Sequence, residues 1–92
     1  MPEIKILKTM ESDHGWECTV QINDDDSSTE HLVTIPLTTY SRLTGEQYPV
    51  EQLVIKSFEF LLNKESKESI LSEFTLDIIG DYFPSWEQEI VK

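Results

Sequence analysis

The fold is decided by residues 16–23, WECTVQIN. Apolar and polar residues alternate without exception along this stretch, and successive side chains of a β-strand point to opposite faces of the sheet. The stretch therefore predicts a strand with one face in the core and the other in water. The apolar face consists of Trp16, Cys18, Val20 and Ile22.

A second strand is predicted immediately before this one. Ile4, Ile6 and Met10 recur at a spacing of two, with Lys8 interrupting. Because Leu7 points the other way, the sequence does not decide which face of this strand points inward. Residues 13–15, Asp-His-Gly, supply turn chemistry, with a glycine available for positive φ. The two strands together predict an antiparallel hairpin.

A third strand is predicted after a polar loop. Residues 23–30, NDDDSSTE, contain no apolar side chain, and Val33, Ile35 and Leu37 then resume the alternation. Pro36 cannot donate a ladder hydrogen bond, so it places this strand at a sheet edge or marks its end. The result is a three-stranded meander whose apolar face needs a cover.

Helices are expected to supply that cover. Residues 38–45 predict a single helical turn, opened by a threonine cap and closed by Gly45. Pro49 then stands at the first turn of an amphipathic helix, a position that proline favours. The apolar stripe of that helix, at helical spacing, consists of Val50, Leu53, Val54, Phe58, Leu61 and Leu62.

Shorter helices are expected further along the chain. One is predicted through Ile70, Leu71 and Phe74, and Thr75 is expected to cap a further turn. Residues 85–88, Ser-Trp-Glu-Gln, fit a capping box that would open a last helix.

The predicted fold class is α+β. An N-terminal three-stranded antiparallel meander, residues 1–37, is followed by C-terminal helices, residues 38–92, which pack on one face of the sheet. A length of 92 residues predicts one domain, residues 1–92.

Charge limits the classes of partner. Eighteen acidic residues against seven basic ones give a net charge of −11, and Arg42 is the only arginine. Phosphate binding requires clustered Lys and Arg, so direct binding to nucleic acid is not expected. The plain interpretation of the acidity is solubility, and the alternative is an acidic face that meets a basic partner.

The sequence also predicts the compartment. No segment approaches the about 20 apolar residues of a membrane span, and the first residues lack the features of a secretory signal. One cysteine, Cys18, allows neither an intramolecular disulfide nor a four-cysteine zinc site. We therefore expect a cytoplasmic protein that does not bind membranes.

Candidate sites for chemistry are few. Residues 24–26 are three consecutive aspartates, which fit a solvated loop better than the alternating ligands and glycine of a calcium loop. His14 and His31 are the only imidazoles. With Cys18 they would supply only three ligands to a metal ion, or a nucleophile and a base. We interpret them as surface histidines and a packing cysteine. No catalytic, cofactor or metal residue is predicted, and an enzyme is not expected.

Several short runs carry a resemblance. They are residues 43–45 (LTG), 49–54 (PVEQLV), 56–62 (KSFEFLL), 68–71 (ESIL) and 82–84 (YFP). In these runs the chain resembles a family of short, uncharacterised bacterial proteins. The resemblance implies a recurring architecture and brings no activity or ligand. The strand order is also similar to that of Hic-type antitoxins, by topological analogy only, without their glycine-rich third strand.

The surplus apolar residues give the predicted function. Phe60 lies about 200° around the helix from Phe58, so the two cannot face one core. We expect Ile55, Phe60, Trp86 and Ile90 to form a protein interface. The predicted function is a small non-enzymatic interaction module that self-associates, as a homodimer, through its helical half. The alternative is an acidic regulator, antitoxin-like or a nucleic-acid mimic, that neutralises a basic partner; a metal or small-molecule binder is a third possibility.

Overall fold

The structure, a computed structural model, describes residues 2–91, so residues 1 and 92 of the predicted domain lie outside the described residues. Three strands come first in the chain, two helices follow, and a short fourth strand and two further helices complete it. All four strands form one sheet, and the predicted α+β class is confirmed. The elements are β1 (Glu3–Ser12), β2 (Gly15–Asn23), β3 (Ser28–Pro36), α1 (Leu37–Thr44), α2 (Val50–Lys64), a 3₁₀ turn (Lys67–Ser69), β4 (Glu73–Thr75), α3 (Ile78–Tyr82) and α4 (Trp86–Ile90).

The meander forms as the alternation predicts. Strands β1, β2 and β3 pair antiparallel in chain order, and Cys18, Val20 and Ile22 of β2 are fully buried. The polar residues between them lie on the open face of the sheet. Helices α1 and α2 pack on the other face and enclose the core.

Strand β1 changes face at a bulge. Its register with β2 shifts between Ile6 and Lys8, and the extra residue at the bulge is Leu7. After the bulge Thr9 lies opposite Cys18, on the covered face, and Met10 is exposed on the open face. The bulge reverses the alternation, so Ile4 and Ile6 lie on the covered face and Met10 does not, which settles the inward face that the sequence left undecided.

Gly15 sits where β2 begins, and only glycine suits its surroundings. Its φ is +142°, and a Cβ atom there would lie 2.1 Å from the carbonyl oxygen of Ile35 on β3. The close approach brings the β1–β2 turn beside the start of α1, where the amide of Leu37 donates to the carbonyl of His14 over 2.8 Å.

Two helices follow the predicted positions. Helix α1 ends at Gly45, whose φ of 60° is left-handed, while its N-terminus follows Pro36 without a side-chain cap, so the predicted threonine cap is wrong. Pro36 marks the end of β3. Helix α2 begins directly after Pro49, as expected, and buries most of the predicted stripe.

The segment after α2 differs from the prediction. Instead of a helix through residues 70–74, the chain makes a short 3₁₀ turn and then β4, which pairs parallel to β3 with Val33 opposite Phe74. The amide of Leu32 donates to the carbonyl of Ser72 over 2.8 Å, and that of Leu76 to Thr34 over 2.9 Å. The free edge of β3 thus decides the structure of this segment.

Helices α3 and α4 complete the fold. Helix α4 begins after Ser85 as predicted, but the capping box is absent: Ser85 Oγ donates to Glu89 Oε2 over 2.8 Å and makes no cap to the backbone. The guanidinium of Arg42, on α1, pairs with Asp77 over 3.3 Å and with Glu87, and so links α1 to the last two helices.

Candidate functional site: an apolar groove in the helical half

Three of the four predicted interface residues belong to the core. Phe60, Trp86 and Ile90 are buried within the single chain, and only Ile55 is half-buried. The expectation that they remain free for a partner is therefore corrected. The physical reason is that helix α4 folds back onto α2, while the ring of Phe60 meets that of Phe83 edge-on at 5.8 Å.

Exposed apolar surface lies elsewhere in the helical half. Leu71 is 45% exposed and Tyr82 is 64% exposed, and both line one cavity of about 330 Å³. We call this cavity the helical groove. It is lined by Leu61, Glu65, Ser69, Ile70, Leu71, Phe74, Ile78, Ile79, Tyr82 and Phe83.

The groove has an apolar floor and an exposed rim. Its floor consists of buried side chains from α2, the 70–74 segment and α3, among them Leu61, Phe74 and Ile79. Leu71 and Tyr82 stand at the rim and are the large apolar residues of the groove with the most exposed surface. When an apolar side chain enters the groove, it displaces water from this apolar floor, which lowers the free energy.

Buried His31 fixes one wall of the groove to the sheet. Its Nδ1 lies 2.7 Å from the carbonyl oxygen of Leu71, and Nδ1 must donate because a carbonyl only accepts. Its Nε2 lies 2.8 Å from the hydroxyl oxygen of Thr29. The ring also packs against Phe58 at 5.6 Å. His31 is therefore a structural residue, and its interpretation as a surface histidine is wrong.

A buried lysine anchors the acidic loop beside the same segment. Lys67 is only 5% exposed, and its ammonium pairs with Asp24 over 2.7 Å and with Glu68. The hydrogen bond from Lys67 lowers the pKa of Asp24 to about 2, with help from the amides of Asp26 and Ser27. The same ammonium lowers the pKa of Glu68, and the two carboxylates raise the pKa of Lys67.

The aspartates of residues 24–26 thus perform a local structural role. Asp24 Oδ1 accepts the backbone N–H groups of Asp26 and Ser27, each over 3.0 Å, as predicted for a hairpin loop. Within residues 2–91, no group of three or more His, Cys, Asp or Glu side chains is placed to hold a metal ion.

The candidate nucleophile and bases are held in different places. Cys18 is fully buried in β2, where burial raises the pKa of its thiol, and its sulfur lies 3.8 Å from the hydroxyl of Thr9. His14 is exposed in the β1–β2 turn, and His31 is buried against the Leu71 carbonyl. The interpretation of Cys18 as a packing residue is confirmed.

Leu71 and Tyr82 were not predicted to be an exposed apolar pair. A usable signal was present, because Ile70 and Leu71 are adjacent apolar residues and cannot both face one core from an extended chain. Ile70 is buried and Leu71 is exposed.

Comparison with protein-family models, with curated proteins and with solved structures finds no match for this chain. Across residues 2–91, none of the helices combines the length and the apolar character needed to cross a membrane.

Proposed function

We propose that this chain is a small non-enzymatic protein-interaction module that holds an apolar segment of a polypeptide in the helical groove. The observation that carries the proposal is the pairing of exposed Leu71 and Tyr82 with a buried apolar floor. Exposed apolar grooves with polar borders are typical of interaction surfaces. A volume of about 330 Å³ is at the small end of ligand sites, and it suits a few side chains.

The non-enzymatic part of the proposal is supported by the way reactive side chains are used. The Cys18 thiol is buried, with a raised pKa, so little of it is the reactive thiolate. Both ring nitrogens of His31 have hydrogen-bond partners: Nδ1 lies against the carbonyl of Leu71 and Nε2 against the hydroxyl of Thr29. These groups stabilise the fold and are not presented to a substrate.

The occupant we propose is a segment of another protein, and a second copy of this chain is the other occupant to be tested. A cytoplasmic location is part of the proposal, and the lone buried thiol supports it, since a reducing compartment suits it. The net charge of −11 supports the absence of nucleic acid from the partners, because phosphates would be repelled.

A display experiment tests the groove. Random peptides are selected on the immobilised chain, and the binders are measured against two variants. Leu71→Asp puts a charge at the rim, and Leu7→Asp is the matched control, because Leu7 is 50% exposed at the β1 bulge. We expect binding to survive Leu7→Asp and to be lost in Leu71→Asp. Selection of no peptide, or equal binding to both variants, would contradict the proposal.

Light scattering tests the second copy as occupant. If the groove held a second copy, the mass would rise with concentration toward that of a dimer, and Leu71→Asp would return it to the monomer. A monomer at every concentration would exclude self-association through the groove, while leaving peptide capture to the display experiment.

A further inference from the structure

We infer that the occupant of the helical groove is a basic apolar segment of another protein, with Lys or Arg beside one or two large apolar side chains. The inference rests on the proposed function and adds the chemistry of the partner. Its basis is the charge of the groove border, where Glu65 lines the groove, Asp81 lies one helical turn from groove-lining Ile78, and neither forms an ion pair within the described residues.

Two carboxylates carry the argument. Glu65 lines the groove directly, one residue beyond the end of α2. Asp81 is exposed on α3, three residues after groove-lining Ile78 and next to Tyr82, and residues three apart are neighbours on a helix surface. Neither Glu65 nor Asp81 makes an ion pair within residues 2–91.

The cations near this region are already engaged. Lys67 is buried and shared by Asp24 and Glu68. Lys64 lies over the ring of Phe60, at 5.3 Å from its centroid. Arg42 is held by Asp77 and Glu87. Carboxylates neutralise Lys67 and Arg42, whereas Lys64 keeps its charge over the Phe60 ring, and none of the three forms an ion pair with Glu65 or Asp81 within residues 2–91. A ligand cation placed beside Glu65 and Asp81 would therefore gain attraction without displacing an existing partner.

The same charge disfavours a second copy of this chain. A homodimer through the groove would bring together two chains of net charge −11, with like charges at the border of the contact. Like charges facing one another across an interface raise the free energy of association. A basic segment of a different protein has the opposite effect, since its apolar side chains enter the groove while its cations meet Glu65 and Asp81.

Peptides from an unbiased random display library are the probe. We expect selected peptides to combine large apolar residues with Lys or Arg. We also expect Glu65→Gln/Asp81→Asn to weaken their binding about fivefold, since each exposed pair contributes between about 1.4- and 5-fold in affinity. Added salt is expected to weaken binding to the native chain and to have less effect on the variant.

The matched control is Glu17→Gln/Glu30→Gln. It removes two charges from exposed carboxylates on the open face of the sheet, which make no ion pair within the described residues. We expect it to retain nearly native affinity. A drop as large as that of the groove variant would show that net charge acts at a distance, and it would overturn the inference.

Three further outcomes would overturn it. Apolar peptides without basic residues, bound equally by both double variants, would leave the groove as a binding site but exclude a basic occupant. Dimerisation that Leu71→Asp abolishes would make the second copy the occupant. Failure to select any peptide that depends on Leu71 would overturn the proposed function as well.

Discussion

The indole Nε1 of Trp86 donates a hydrogen bond of 3.3 Å to the hydroxyl oxygen of Ser57, and both side chains are fully buried. Ser57 in turn donates to the carbonyl of Leu53, over 2.9 Å, within α2. A polar bond inside an apolar core thus fixes the position of α4 on α2. Because α4 is held on α2, its apolar side chains Trp86 and Ile90 are buried and cannot contact a partner.

Truncation of Trp86 is expected to be severely destabilising. Trp86→Ala removes the largest buried side chain and leaves a cavity, so the free energy of unfolding should fall by about 3–5 kcal/mol. Urea denaturation followed by circular dichroism measures this. Ser57→Ala is the companion variant, and it should cost about 1–3 kcal/mol because the indole N–H loses its partner. A near-native Trp86→Ala variant would contradict the packing of α4.

Any side chain at position 15 is expected to destabilise the fold. Gly15→Ala forces a positive φ on a non-glycine residue and brings its Cβ onto the Ile35 carbonyl, so we expect a loss of about 3 kcal/mol or more. Gly45→Ala is the control. Its φ is also positive, but its Cβ would meet nothing closer than 3.9 Å, and about 1–2 kcal/mol is expected. Equal midpoints in thermal melts would refute the close approach.

The ion pair between Asp24 and Lys67 should make stability depend on pH in acid. The pKa of Asp24 lies near 2 in the folded chain against an ordinary value of 3.8, so the unfolded chain binds more protons between these values. The stabilisation is complete above the ordinary value and is lost as the pH falls through about 2. Asp24→Asn should therefore be less stable than the native chain near neutral pH, with a difference that shrinks in acid.

The control for this prediction is Asp25→Asn in the same loop, since Asp25 makes no ion pair within residues 2–91. Its stability should follow that of the native chain across the acid range. A gap between Asp24→Asn and the native chain that persists unchanged at the lowest pH would argue against the linkage.

Replacement of His31 tests how the sheet supports the groove. His31→Leu places an apolar side chain of similar size at this position but removes the bonds to Leu71 and Thr29, so we expect a loss of about 1–3 kcal/mol. Peptide binding at the groove should weaken as well, because the Leu71 carbonyl loses its anchor. His14→Leu, on the exposed turn, should stay within about 0.5 kcal/mol of the native chain.

The meander and α2 could be predicted because their information is local. Strict alternation in residues 16–23 and helical spacing after Pro49 each indicate one structure without reference to the rest of the chain. The bulge at Leu7 could not be read in this way, because it depends on the register between two strands.

The site was harder to predict because distant segments build it. Ile70, Leu71 and Phe74 suit a helix by spacing, and only the unpaired edge of β3 converts residues 73–75 into a strand. The helical angle separates Phe60 from Phe58, but the conclusion that the two cannot face one core is wrong, because Phe83 covers Phe60 and both rings are buried in the same core. The angle between two side chains on one helix does not predict which other segment of the chain packs against the second side chain.

The parallel pairing of β4 also has a kinetic consequence. The hydrogen bond between His31 and Leu71 joins groups 40 positions apart, whereas the β1–β2–β3 hairpins join near neighbours. Closing a long loop carries an entropy cost before its contacts form, so such contacts slow folding. Because the groove depends on these long-range contacts, we expect it to form late in folding and to be missing from a partly folded chain. A partner that binds the groove would then recognise only those copies of this chain that have completed folding.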